Sequence, residues 1–190
     1  MAKCDYTLKL VIIGDYVVGK TCFLHRFVEG TFNGQVNVTI GANVTKKTVD
    51  LDGKKILLEI WDTAGHESFR KVIPLYCSQA KGIMLVYDVT NESTFDNLKD
   101  WISFIEEHAP SDADRILLGN KCDPNDSTPR QVSKERGEKF ATDYGIKLLE
   151  VSAKSGINVE EAFFTLARDI MRRLPQEDNN ALSGRGCSLL

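Results

Sequence analysis

The sequence predicts an α/β fold: a mostly parallel six-stranded sheet, one strand of it antiparallel and paired through a hairpin, with helices on both faces. Three observations predict it. Apolar runs of strand length alternate with helix-period patterns, the order that builds a parallel sheet wrapped by helices. Asp52-Gly53 stands between two strand-like runs, residues 44–51 and 54–61, and Asp-Gly at that spacing signals a tight hairpin. The first apolar run, residues 8–13, passes directly into Gly14-Asp15-Tyr16-Val17-Val18-Gly19-Lys20-Thr21, a G-x-x-x-x-G-K-[ST] loop opening a helix over residues 21–28. With 190 residues, 42% of them apolar, a single domain has enough material for a full core.

The glycine-rich loop marks a P-loop NTPase. A strand turning sharply into a helix aims successive backbone N–H groups and the positive dipole end at one point, a site for polyphosphate. The backbone from Asp15 to Cys22 cradles the phosphates, Lys20 reaches the β- and γ-phosphates, and the Thr21 hydroxyl binds Mg²⁺. Thr39-Ile40-Gly41 follows in a polar, weakly periodic stretch, where Thr39 offers Mg²⁺ a second hydroxyl when a γ-phosphate is present. The strand over residues 55–60 ends on Trp61-Asp62-Thr63-Ala64-Gly65. Asp62 there helps hold Mg²⁺ through a water, and the Gly65 N–H meets the γ-phosphate because no Cβ blocks the approach.

The base is decided further along. Residues 116–119 form a strand that delivers Asn120-Lys121-Cys122-Asp123. Guanine, unlike adenine, presents an N1–H and an exocyclic amine along one edge, and the Asp123 carboxylate can accept both. Asn120 ties this loop to the phosphate loop, and the Lys121 stem lies over the base. Another strand, residues 147–150, leads into Val151-Ser152-Ala153-Lys154, where a backbone N–H, that of Ala153, can reach the guanine oxygen. Phe95, Leu98, Ile102 and Ile105 make one helical stripe; Val159, Phe163, Leu166 and Ile170 make another, opened by Asn158 and Glu161 as a capping box. All these loops fall at the carboxyl ends of strands, where ligands bind in such sheets.

G-D-x-x-V-G-K-T, T-I-G, W-D-T-A-G, N-K-C-D and S-A-K, in that order, resemble a Ras-superfamily small GTPase over about residues 6–174. The run from Leu85 to Thr90 and residues 130–146 are most similar to the Rab branch, nearest the exocytic Rabs. The resemblance implies a GTP-binding (G) domain over residues 1–174, GTP/GDP and Mg²⁺ as ligands, and switch segments around Thr39 and from Asp62 to Tyr76. It implies that Phe32 packs against the guanine edge. It also implies an exchange factor, an activating protein and effectors of Rab type, a solubilising carrier, and vesicle traffic as the process served.

Departures from that pattern are concentrated at the reaction centre. Where the family usually has a Gln that orients the attacking water, this chain has His66; the loop positions usually held by small residues are Tyr16 and Val17. A Tyr ring there crowds the γ-phosphate and the space an arginine finger needs, and the finger alone is worth roughly 10³–10⁵ in rate. The expectation is a GTPase, with His66, Gly65 and Lys20 as its catalytic groups, that binds GTP and turns it over slowly. A ring nitrogen of His66 can still hold a water, and Tyr16 can swing to solvent, so ordinary turnover stays open. The family's surface aromatic triad becomes Val44, Trp61 and Tyr76, which implies a narrowed or shifted effector set.

Residues 175–190 read as a flexible tail ending in Cys187-Ser188-Leu189-Leu190, a C-a-a-X box whose terminal Leu favours geranylgeranyl transfer by a prenyl transferase at Cys187. Only Arg185 is basic in that linker, against Glu177 and Asp178, so one lipid chain without a polybasic patch gives reversible attachment. A net charge of −3 leaves no nucleic-acid footprint. The five cysteines lack C-x-x-C spacing, and neither a signal peptide nor a membrane-length apolar run is present, which predicts a reduced, monomeric protein shuttling between cytosol and a cytoplasmic membrane face. Two function classes follow: a prenylated GTPase switch with weak turnover, or a scaffold holding GTP almost permanently. A kinase or ATPase on the same loop is a distant third, and Asp123 speaks against it.

Overall fold

The computed structural model describes residues 4–34, 39–66, 69–124 and 127–174. Its chain order is β1 (Tyr6–Gly14), α1 (Lys20–Glu29), β2 (Ala42–Leu51), β3 (Lys54–Thr63), α2 (Ile73–Cys77), β4 (Gly82–Asp88), α3 (Glu92–Asp96), α4 (Leu98–His108), β5 (Asp114–Asn120), α5 (Lys134–Asp143), β6 (Lys147–Glu150) and α6 (Val159–Arg173). The six strands lie in the order β2-β3-β1-β4-β5-β6. Only β2 runs antiparallel, paired to β3 from Ala42↔Thr63 to Leu51↔Lys54. The connecting Asp52 and Gly53 both take positive φ, 51° and 75°, the backbone a two-residue hairpin needs to match strand twist.

Because side chains alternate across a strand, the sheet divides its apolar residues between two cores. Leu8, Leu10 and Ile12 of β1 face α1 and α6, joined by Phe23, Phe27, Phe163 and Ile170. Val11 and Ile13 face the other way, toward Ile73, Phe95, Trp101, Ile105 and Phe140 of α2 to α5. Burial on both faces explains why β1 and β4 read as continuous apolar runs. Phe27 and Phe163 stack with ring centroids 3.9 Å apart, so truncating Phe163 to Ala would cost about 3–5 kcal/mol.

Two details differ from the sequence reading. The stripe from Phe95 to Ile105 is buried as expected but spans two helices, with a turn at Asn97 between α3 and α4. The capping box at Asn158 does not form: Asn158 sits at φ 53°, in the left-handed region, and its Nδ2 donates to the Glu150 carbonyl at 2.8 Å instead. That backbone turn aims the side chain at β6 rather than at the first N–H groups of α6. Glu160 and Glu161 in the first turn and Arg172 and Arg173 in the last favour the helix dipole instead.

Candidate nucleotide-binding site

The carboxyl ends of β1, β3, β5 and β6 surround a cavity of about 460 Å³, within the range of small-ligand sites. β1 delivers the phosphate loop at Gly14, whose φ of 143° and contact with the Val86 carbonyl leave no room for a Cβ. A Cβ on Gly19 would stand 2.5 Å from Asn120 Nδ2, so this glycine lets the base loop close on the phosphate loop. Asn120 uses the space: its Nδ2 donates to the Val18 carbonyl at 2.8 Å.

Lys20, the first residue of α1, is only 6% exposed, and its ammonium donates to the carbonyls of Gly14 and Asp15 at 2.8 and 2.7 Å. Burial pushes it down to about 8, with Asp62 and Asp15 holding it up against that. The loop therefore keeps its cation curled over its own carbonyls.

Beside it, Thr21, Thr39 and Asp62 converge from α1, the segment before β2, and β3. The two hydroxyl oxygens are 2.9 Å apart, and Asp62 Oδ2 accepts from Thr21 at 2.6 Å and from Thr39 at 3.4 Å. Asp62 is fully buried, its carboxyl raised by that burial against the Thr21 bond and the Lys20 charge. Its Oδ1 has no partner among the described residues. Two hydroxyls and a carboxylate with an orphaned oxygen form a hard, all-oxygen donor set, which fits Mg²⁺.

Gly65 brings the end of β3 against the phosphate loop; a Cβ there would come within 2.5 Å of the Asp15 carbonyl carbon. Next to it, His66 meets Tyr16: the two rings pack edge to face with centroids 6.0 Å apart. Tyr16 and Val17 are 48% and 66% exposed, and Val17 holds φ 64°, a region costly for a β-branched residue. The Asp15 carboxylate points away from the cavity, accepting from Asn97 Nδ2 and Trp101 Nε1, each at 2.7 Å. The Arg70 guanidinium lies 4.7 Å over the Trp101 ring.

At the base end, Asp123 Oδ1 accepts from the Ser152 hydroxyl at 2.5 Å, leaving its second oxygen for a ligand edge. The Ala153 N–H donates to Asn120 Oδ1 at 3.2 Å in this structure, so a guanine oxygen would have to share it. Lys121, at φ 65°, pairs its ammonium with Asp88 at 2.6 Å, and its stem approaches Gly19.

Among the residues expected to bind nucleotide, Tyr16, Val17, Gly19, Lys20, Thr21, Cys22, Phe32, Thr39, Gly65, Asn120, Lys121, Asp123, Ala153 and Lys154 line the cavity. Asp15, Val18 and Ser152 do not; the hydrogen bonds just described put them behind its wall. Sequence reasoning missed Arg26, Asn97 and Trp101, because a polar or aromatic residue in a helix carries no local sign of a distant partner. On the outer face of the sheet, Val44 stands opposite Trp61, whose ring tilts against Tyr76 at 5.2 Å. Val44, Ile40 and Leu75 are exposed. Cys187 and the tail from residue 175 lie outside the described residues.

The Ras family model matches residues 9–172, all of the sheet but the first three residues of β1, and every motif around the cavity. The chain belongs to the Ras family. Its relatives narrow the branch to the Rab proteins. It is 62% identical to Ras-related protein Rab-8B of Homo sapiens over 184 residues, 96% of this chain and 88% of that protein. Rab-8 of the ray Diplobatis ommata is 62% identical over 94% of this chain, and Rab-8A of Mus musculus 58% over 93%. Ras-family GTPases bind guanine nucleotide with Mg²⁺ and hydrolyse GTP, and the cavity of this Rab is lined by the glycine-rich loop at one end and by Asn120, Lys121 and Asp123 at the other. Among the described residues no helix is long and apolar enough to cross a membrane.

Proposed function

We propose that this Rab is a GTP-binding switch of vesicle traffic whose hydrolysis is slow and poorly stimulated. The observation that carries the reading is the contact of Tyr16 with His66 across the phosphate loop. In the bound state the Lys20 ammonium gives up the Gly14 and Asp15 carbonyls for the β- and γ-phosphates. The Gly65 N–H meets the γ-phosphate, while Asp123 and the Ser152–Lys154 loop hold the guanine. Thr21, Thr39 and Asp62 would hold Mg²⁺, which supplies positive charge against the phosphates. Hydrolysis then needs a water aligned with the γ-phosphate and room for a guanidinium from an activating protein. Tyr16 and His66, in contact at the loop, are the side chains that would crowd that water and that guanidinium. A neutral His66 ring has one donor and one acceptor nitrogen, but they sit on diverging edges of a rigid ring, so it serves the water and the γ-phosphate together less well than a Gln amide does.

Single-turnover hydrolysis of preloaded GTP with Mg²⁺, together with the nucleotide content of the purified protein, tests this. Mostly GTP and a rate well below that of a Rab with Gln at this position are expected; mostly GDP and a rate equal to such a Rab would refute it. The scaffold reading, a protein that holds GTP almost permanently, is the limit of the same chemistry at zero rate. Regulation would then fall to the exchange factor, to abundance and to membrane extraction. We further propose that a geranylgeranyl group at Cys187 gives a reversible anchor on a cytoplasmic membrane face, served by a prenyl transferase and a solubilising carrier. Val44 in place of an aromatic beside Trp61 and Tyr76 removes one anchor from the effector face, which supports a narrowed set of partners.

A further inference from the structure

Arg26 lies outside the cavity wall, one helical turn and a half beyond the phosphate loop, yet its guanidinium is fully engaged with the elements that close the cavity. Nε donates to the Ala153 carbonyl at 2.8 Å, one terminal nitrogen donates to the Lys154 carbonyl, and the other donates to the Gly30 carbonyl at 2.7 Å. Ala153 and Lys154 line the base end of the cavity, and Gly30 begins the segment that brings Phe32 and Gly34 to its mouth. The same loop is held on its opposite edge by Asn120, which takes the Ala153 N–H, and by the Ser152 hydroxyl on Asp123. One planar fork therefore ties the base-reading loop to the start of the segment carrying Phe32 and Gly34. Gly30, at φ 71°, is the left-handed cap at which the chain leaves α1, and its own N–H returns to the Arg26 carbonyl at 3.0 Å.

We propose that Arg26 is a positioning residue for guanine nucleotide: it sets residence time by locking the Ser152–Lys154 loop to Gly30, where the chain leaves α1. The inference rests on the reading that this cavity takes guanine. Because one guanidinium holds Gly30 and both carbonyls, a displacement of the chain at Gly30 is felt behind the base, and loss of the fork frees the Ala153 and Lys154 carbonyls. The lock needs Arg in particular. Three carbonyls in different directions match the fixed fork of a guanidinium, whereas a lysine ammonium is a single point on a flexible stem.

The test is release of N-methylanthraniloyl-GDP in Mg²⁺, chased with excess GDP. Arg26→Ala should release it about tenfold faster or more, the usual scale for losing charge-assisted hydrogen bonds. Arg26→Lys, which keeps the charge and most of the stem, should resemble Arg26→Ala rather than the wild type, and either variant reads the prediction if the other fails to fold. The ratio of IDP to GDP release rates should fall in both, because the Ser152–Asp123 arrangement that reads the exocyclic amine loosens with the loop. Wild-type release rates in both variants would overturn the inference. Equal acceleration by Phe140→Leu, a buried residue in the core on the other face of the sheet, would overturn it as well. Failure of the wild type to bind GDP, or of Asp123→Asn to shift preference toward xanthosine diphosphate, would remove the guanine assignment and this inference with it, and is seen before Arg26 is touched.

Discussion

Replacing Tyr16 by Ser and His66 by Gln, singly and together, isolates the effect of the ring pair on hydrolysis. Little folding stability is at stake. The rings meet edge to face at 6.0 Å with Tyr16 half exposed, so their contact is worth about 0.5 kcal/mol, the low end for aromatic pairs. The rate is where the change should register. Restoring a side chain that orients water should gain roughly 10- to 100-fold in intrinsic rate, or about 1.4–2.7 kcal/mol of barrier, the lower part of what a positioned proton-handling group supplies. Clearing Tyr16 alone should change the intrinsic rate little, because the ring obstructs an incoming group rather than the water. With an activating protein that inserts an arginine, the double variant should gain a further factor of roughly 10³ that neither single variant reaches. The assay is single-turnover phosphate release from preloaded GTP, with GDP and GTP affinities measured alongside to separate chemistry from binding. A wild-type rate equal to that of the double variant at equal affinity would refute the reasoning. So would strictly additive effects in the stimulated reaction, since residues acting on one space should couple.

Val17→Gly should stabilise the protein by about 0.5–1 kcal/mol: relief of a left-handed β-branched residue, about 1–2 kcal/mol, outweighs the added freedom of the unfolded chain. Urea unfolding checks it, with Val17→Ala as the control that keeps most of the strain. Lys20 should bind nucleotide with proton uptake above pH 8, because the buried ammonium titrates at about 8 in the free site and phosphate oxygens hold its proton; calorimetry of GDP binding in buffers of different ionisation enthalpy reads this. The linkage has a definite sign. The unfolded chain keeps this proton up to 10.5 and the folded chain only to about 8, so across that window the unfolded state binds more protons and this residue's contribution to stability improves as pH rises. The cost of burying the charge is present in full below pH 8, and the wild type compared with Lys20→Met should show that slope. Gly65→Ala should force the end of β3 off the phosphate loop, at about 1–3 kcal/mol for an added methyl against backbone. Its GTP affinity should fall more than its GDP affinity, measured by fluorescence titration, because only GTP uses the Gly65 N–H.

Most of the sheet was legible because its signals are short-range. The β1 and β4 runs are apolar throughout because both faces are covered, and Asp52-Gly53 needs only its own two dihedrals to turn a hairpin. The nucleotide residues were legible for a related reason. Backbone cradling of a phosphate, a buried lysine and a carboxylate at a strand end each impose a residue type at a set spacing. The capping box failed because its pattern assumes an extended N-cap, whereas the chain reaches Asn158 from β6 through a left-handed turn. The stripe from Phe95 to Ile105 was right in its burial, but a helical period says nothing of a turn at Asn97 that keeps the phase.

By itself the sequence determined the strand–loop–helix unit at residues 14–21, the strand ends that carry Asp62 and Asp123, and the residue types that line the cavity between them. Each of these is a local demand of hydrogen bonding or of periodicity. Tertiary structure alone decided that Asp15 turns from the phosphates to a tryptophan 86 residues away, and that Arg26 clasps carbonyls 127 and 128 residues further along. It also decided that one edge of the half-exposed Tyr16 ring meets His66. These contacts follow from the order β2-β3-β1-β4-β5-β6, which carries the ends of β1, β3, β5 and β6 to one rim. Nothing in the spacing of side chains encodes which of them will meet there, because the meeting is fixed by how the two cores pack the strands and helices against one another.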